Sequence, residues 1–318
     1  MRPRTSALTV SISCLAVFAE GVIAQDYPNK PIRVITAPAG GGSDFIARLV
    51  AQGISGPLGQ QIIIDNQAGN LGALSLIKSP PDGYHLQVGG GSLWITPLLR
   101  KVPYDVATDF APVSLLVREV LIVAVHPSLP VKTVKDLIAL AKSRPAELNY
   151  SSGAVGGPGH LAVELMKHMA GFDAVHVAYK GNSPQVTALI GGEVQMAIVD
   201  AGLVTPHAKS GRLKALAVTS AQPSALTPGM PTVAATGLPG YEYVGMAAMF
   251  APGRTPAAVI ARVNQEVTRV LNRTDIKEKF IAAGVEAAAS TPEELGAIIR
   301  SDMARLGKLI KDADIRVE

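Results

Sequence analysis

The chain has 318 residues, 48% of them hydrophobic, a formal charge of +4 and a single cysteine, Cys14. That length and apolar content are enough for two domains with substantial cores. Charged residues make up 17% and aromatic residues 4%, and Lys and Arg are scattered among acids, so there is no basic face with interleaved rings of the kind that binds nucleic acid.

At the start, Arg2 and Arg4 precede a 13-residue apolar run, 7–19, and Val22-Ile-Ala24 offers small residues to a peptidase. Residues 1–24 read as a cleaved secretory signal peptide. The run is shorter than the ~20 residues of a membrane-spanning helix, and no later stretch comes closer. A lipid-anchored form would need its cysteine after the leader, whereas Cys14 lies inside the run. Without the leader, 294 residues remain with a balance of +3 and no cysteine. Disulfides, thiolate metal sites and a cysteine nucleophile are thereby excluded, and the mature protein is expected to be soluble.

The first mature element is a buried-type strand over 32–35, which runs through Ala39-Gly-Gly-Gly-Ser-Asp44 into a helix over 43–54. Consecutive glycines permit positive φ and close backbone approach, and Ser43 reads as the N-cap. The first N–H groups of such a helix have no internal partner and carry the positive end of its dipole, so an oxyanion is the natural ligand. Strands over 62–65 and 86–88 follow. The apolar run 112–127 is too long for one ordinary strand and reads as a crossing between domains. A helix over 133–141 leads to a second copy of the glycine device, Leu148-Asn-Tyr-Ser-Ser-Gly-Ala-Val-Gly-Gly-Pro-Gly-His160, which opens a helix over 158–170 with Pro158 at its first position. Next come Ser183 as an N-cap for a helix over 184–190, and strands over 194–199, 213–219 and 244–250. The segment 243–252 reads as the return crossing. Helices over 256–271, 274–283 and 292–313 close the chain. Alternation of short β-branched runs with helical patterns indicates an α/β protein with largely parallel sheets, whose ligands sit at the carboxyl ends of strands. Two crossings make residues 25–124 and 250–318 one domain and 125–249 another, joined by two strands around a hinged cleft.

No nucleophile elbow, phosphate loop, His-Glu-x-x-His or dinucleotide fingerprint is present, so no enzyme activity, cofactor or metal is expected. His160, Glu164 and His168 stand four apart on one helix but lack a fourth ligand, and read as polar neighbours on a helix face. His160 either reaches the ligand or packs near the cap, and Tyr179 either floors the pocket or packs in the core. Asp200 ends its strand at the same edge as the two glycine turns.

The ordered motifs Tyr27-Pro-Asn-Lys-Pro-Ile-Arg, Ala37-Pro-Ala-Gly-Gly-Gly-Ser-Asp, Pro81-Asp-Gly-Tyr, Val102-Pro-Tyr-Asp, Tyr179-Lys-Gly, Gly191-Gly-Glu-Val and Gly237-Leu-Pro-Gly-Tyr resemble the solute receptors of tripartite tricarboxylate transporters, over nearly the whole mature chain. The resemblance implies an α/β, two-domain periplasmic binding protein-like fold (venus flytrap, type II) in a monomer. It further implies a periplasmic receptor that captures a small mono- or dicarboxylate and delivers it to membrane permease subunits. A receptor presenting the same solute to a membrane sensor kinase is the alternative. The ligand would be held through backbone N–H groups, partly by way of ordered waters, at Ala39, Gly40, Gly41, Gly42, Ser43 and Asp44 and at Ser151, Ser152, Gly156, Gly157 and His160. Ser92, Tyr179 and Asp200 complete the expected set. Trp94 is expected in a loop that faces the ligand. The segment after Asn66 and the sequence Gly245-Met-Ala-Ala depart from the family's usual pattern.

Overall fold

The computed structural model describes residues 27–68 and 70–315. The expected leader lies outside the described residues. In chain order the elements are β1 (Ile32–Thr36), α1 (Gly42–Leu58), β2 (Ile62–Asn66), α2 (Leu71–Ile77), β3 (His85–Gly90), α3 (Ser92–Leu99), α4 (Val106–Asp109), β4 (Phe110–Glu119), β5 (Leu121–Val125), α5 (Val134–Ser143), β6 (Asn149–Ser152) and α6 (Pro158–Ala170). They continue with β7 (Val175–Ala178), α7 (Asn182–Gly191), β8 (Met196–Asp200), α8 (Ala201–Lys209), β9 (Lys214–Val218), α9 (Val233–Thr236), β10 (Gly245–Pro252), α10 (Ala257–Leu271), α11 (Thr274–Ala282), β11 (Glu286–Ala287) and α12 (Pro292–Asp312). Among the described residues no helix is long and apolar enough to cross a membrane.

The strands form two sheets, ordered β11-β4-β10-β3-β1-β2 and β7-β6-β8-β5-β9. Within the first, β1, β2 and β3 are parallel and β10 runs against both β3 and β4; within the second, β6, β7 and β8 are parallel and β5 runs against both β8 and β9. The sheets are therefore mixed and not largely parallel as expected: every ladder made by β5, β10 or β11 is antiparallel. The strands β5 and β10 each enter their sheet from the other half of the molecule, which reverses their direction, and β11 runs back beside β4.

The long apolar run is two strands in two sheets, separated by the single buried residue Val120. It reads as continuous because residues 113–117 and all of β5 are buried, which removes the polar alternation along each strand, and only Arg118 and Glu119 mark the break. The return is equally short. Tyr243 N–H donates to Thr219 O at the end of β9 (2.9 Å), while Gly245 already pairs with Glu119 of β4. The expected boundaries at 124/125 and 249/250 cut through β5 and β10, whereas the sheets change at Val120 and Val244, side by side.

Local chemistry places the helices. Thr133 with Asp136, and Thr291 with Glu294, form capping boxes at the starts of α5 and α12, and Pro292 occupies the first turn of α12. Buried Val259, Ile260, Val263, Val267 and Val270 form the apolar stripe that seats α10. The last helix, α12, starts beside β4 and ends with Asp312 at 3.9 Å from His168 on α6, so it spans both halves.

Candidate functional site

The two glycine-rich turns fold alike, residue for residue. Gly40 has φ +82° and Gly156 φ +73°, a region that costs a residue with a Cβ about 1–2 kcal/mol. Gly41 (φ −82°, ψ 167°) and Gly157 (φ −73°, ψ 168°) are the N-caps of α1 and α6, and each donates its N–H back across the turn, to Pro38 O (3.3 Å) and Ala154 O (3.1 Å). In each turn a side chain four residues on accepts the N–H of the positive-φ glycine: Asp44 Oδ2 from Gly40 (2.9 Å), His160 Nδ1 from Gly156 (2.9 Å).

This internal bonding decides which donors are free. Phe45 N–H, to Gly41 O, and Leu161 N–H, to Gly157 O, are the first intrahelical donors, both at 3.0 Å. The N–H groups of Gly42, Ser43 and Asp44, and of Gly159 and His160, precede them and lie at the positive ends of α1 and α6. Those of Gly40, Gly41, Gly156 and Gly157 are already used. Ser43 is not the N-cap, because the helix begins one residue earlier and Asp44 ties down the turn. Likewise α7 begins at Asn182 with Gly181 as its cap, so Ser183 and Pro184 sit inside its first turn.

Three cavities meet these turns. One of about 920 Å³ lies between the halves, lined by Gly42 and 281–285 on one side, Pro158, Gly159, Asn182 and Asp200 on the other, and Glu119 at the crossing. Another of about 210 Å³ lies between 90–92 and 156–158, with Glu119 and Gly245 in its wall. A third of about 260 Å³ lies beside the first turn, lined by Thr36, Ser43, Gln67, Gln87, Ser92 and Tyr104. Thr36 Oγ1 and Gln87 Oε1 are buried there without a hydrogen-bond partner. Such groups cost about 1–3 kcal/mol unless a ligand or water supplies the missing bond.

Of the expected site residues, Gly42, Ser43, Ser92, Gly156, Gly157 and Asp200 border these cavities, and Ala39, Gly40 and Gly41 stand exposed at the apex of the first turn. The others point elsewhere. Asp44 is 4% exposed and its oxygens take Gly40 N–H, Arg48 Nε (3.0 Å) and Asn66 Nδ2 (2.8 Å), contacts that hold its carboxyl down at about 2. Ser151 and Ser152 are buried beneath the second turn, where Ser152 Oγ donates to Ala154 O (3.0 Å) and meets His176 Nε2 (2.7 Å). His160 packs near the cap, stacked on His176 with ring centroids 4.0 Å apart. Tyr179 donates to Glu193 on the surface (3.2 Å). Glu164 bonds Tyr150 and Lys167 while His168 faces Asp312, so the His160-Glu164-His168 row serves separate partners. Trp94 lies on α3, fully buried behind the smallest cavity, and not in a loop.

Thr36, Gln87, Glu119 and Asn182 escaped the sequence reading. A signal existed for two of them: Gln87 is polar in a buried strand that ends in glycines, and Glu119 is an acid inside the apolar crossing run. Burial, and secondarily the charge of Asp200, raises Glu119 to about 7; burial also raises Asp200, against the opposing effect of the bond from Asn182 Nδ2 (2.7 Å).

His160 makes the second turn sensitive to acid. Burial, reinforced by His176, lowers it from 6.5 to about 4. Below pH 6.5 the unfolded chain binds a proton that the folded chain refuses until about pH 4. Stability is therefore lost as pH falls through that window, by up to about 3 kcal/mol. His160→Asn keeps a short acceptor for Gly156 N–H but does not titrate. In urea unfolding, its stability relative to wild type should rise between pH 7 and 4.5; parallel profiles would refute the assignment of Nδ1 as a buried acceptor.

Comparison with known proteins places this architecture. Residues 46–315 match the model of the tripartite tricarboxylate transporter family receptor. Protein BugT of Bordetella pertussis is 31% identical over 310 residues, 95% of each chain. The solved structure of R. palustris Rpa4515 with adipate is 34% identical, with TM-score 0.77 over 92% of this chain and 99% of that one. MatC (Rpa3494) from Rhodopseudomonas palustris, with bound malate, is 25% identical, with TM-score 0.72 over 89% and 100%. The match of the family model over residues 46–315, with a relative 31% identical over 95% of each chain and a two-sheet α/β fold shared with these structures, identifies the chain as a member of the tripartite tricarboxylate transporter receptor family.

Proposed function

We propose that this protein is a periplasmic receptor that captures a small mono- or dicarboxylate between the N-termini of α1 and α6 and hands it to the membrane permease of a tripartite transporter. The observation that carries this reading is the duplicated turn. Two helix starts with unspent N–H groups, one on each half, border the same interlobe space. Relatives that hold adipate and malate support the ligand class. The single-residue crossings at Val120 and Val244 supply a hinge, so that closure brings the second helix start onto a ligand caught by the first. Charge-assisted hydrogen bonds contribute about 1.5–3 kcal/mol each, and five or six of them, less the cost of immobilising the ligand, reach the roughly 8 kcal/mol of micromolar binding.

Thermal unfolding with a panel of solutes tests the ligand class. A carboxylate at a hundred times its Kd stabilises the folded state by about 2.7 kcal/mol, a rise of several degrees in Tm. Adipate, malate or related mono- and dicarboxylates should raise Tm, while neutral sugars and simple amines should not. Stabilisation by sugars or amines alone would refute the anion clamp.

A further inference from the structure

Glu119 is the last residue of β4, one residue before the chain crosses between the sheets. Its side chain lies against Gly245 of β10, where a Cβ would come within 2.5 Å of Oε2, so only glycine there leaves the carboxyl its place. It lines both interlobe cavities, between the Gly42 helix start and residues 156–159 of the second turn. Among the described residues no hydrogen bond or ion pair reaches this carboxyl, whereas Asp200, across the larger cavity, accepts from Asn182.

The surrounding charges do not neutralise it. Asp200 faces it from β8 and raises it. Tyr243, on the return crossing, is kept protonated by burial. Asp302 of α12, which also borders the smaller cavity, is paired with Arg305 (3.0 Å). Arg118 points out to solvent beside Glu286 of β11, and Lys209 of α8 is an exposed cation at the rim of the larger cavity. A carboxylate ligand entering this space with Glu119 and Asp200 both ionised would add like charge to like in a poorly solvated cleft. A proton on Glu119 removes one of those charges and creates a donor aimed into the cavity.

Resting on the carboxylate reading above, we propose that Glu119 meets the ligand as a neutral carboxylic acid, donates a hydrogen bond to a ligand carboxylate oxygen, and so couples capture of each ligand to the uptake of a proton. The acid proton remains on Glu119; no bond to the ligand is made or broken. Burial and Asp200 already hold the empty site's Glu119 at about 7, and a bound anion acts in the same direction. Affinity is then level below pH 7 and falls as pH rises above it, by up to tenfold per unit.

Isothermal titration of the mature protein with adipate and with malate, between pH 5.5 and 9 and in HEPES and Tris, reads both consequences. The expected result is weakening above pH 7, and a buffer-dependent heat corresponding to proton uptake that approaches one per ligand near pH 8. Glu119→Gln keeps a donor without a titrating group. It should bind up to tenfold more weakly at pH 6, with no slope to pH 9 and no proton uptake. A level wild-type profile, an affinity that rises with pH as an ammonium-bearing ligand would give, or a slope that survives in Glu119→Gln overturns the proposal and leaves the carboxylate reading standing. Failure of every carboxylate to bind at any pH overturns both.

Discussion

Gly42→Pro is expected to weaken carboxylate binding by one to two orders of magnitude while leaving the fold intact. Gly42 is the first residue of α1, and the equivalent place in α6 is already taken by Pro158. Proline suits that position, since its fixed φ is helical and the missing N–H has no intrahelical acceptor. Gly41, just before it, is extended, the conformation a following proline requires. A Cβ on Gly42 meets nothing within 4 Å. The substitution therefore deletes one helix-start donor and little else. A charge-assisted hydrogen bond contributes about 1.5–3 kcal/mol, and each 1.4 kcal/mol is tenfold in Kd. Gly42→Ala retains the N–H and should cost threefold at most. Titration calorimetry on both variants, with circular dichroism as the fold control, separates main-chain from side-chain capture. Equal affinities in the two would mean that the ligand does not use the start of α1.

Trp94→Ala should carry the largest penalty to stability, about 3–5 kcal/mol, the range for truncating a large buried aromatic residue. The indole is fully buried against Phe250, with ring centroids 6.3 Å apart, and its Nε1–H donates to Asp302 Oδ2 at 2.8 Å. Asp302 Oδ1 in turn accepts from Arg305 Nη2 (3.0 Å), whose Nη1 donates to Glu242 O (2.7 Å) beside the return crossing. Trp94 thus ties α3 to α12 and, through Arg305, to the return crossing. Trp94→Phe retains most of the apolar volume but leaves Asp302 short of a donor, a loss of about 1–3 kcal/mol. Urea unfolding should rank wild type above Trp94→Phe above Trp94→Ala. A loss below 1 kcal/mol in the alanine variant would mean that this contact does not anchor the C-terminal helix.

Local chemistry along the chain determined a good deal by itself. Both helix-start turns were legible, because three features of adjacent residues suffice: an apolar run, a glycine cluster and a helical repeat after it. The α/β class, the long closing helices and a crossing somewhere within 112–127 followed from periodicity and from a run too long for one strand, but not its position at Val120. Short or fully buried elements were less legible. The helices α2 and α3 carry too few turns for a period, and β4 and β5 merge into one apolar stretch.

Side-chain direction was decided only by the tertiary structure. Asp44 and His160 are polar residues at the mouth of a predicted anion site, yet each turns back to accept a glycine N–H from its own turn, which transfers the role of donor to the first helical N–H groups. Ser151 and Ser152, on opposite faces of β6, are both covered. Glu119 is one acid in an apolar run until β4, β8 and β10 bring it together with Asp200 and Gly245 where the chain crosses between the sheets. The reason is physical: capping and periodicity act over about four residues, whereas the burial and charge that set a carboxyl's protonation arise from segments far apart in the chain.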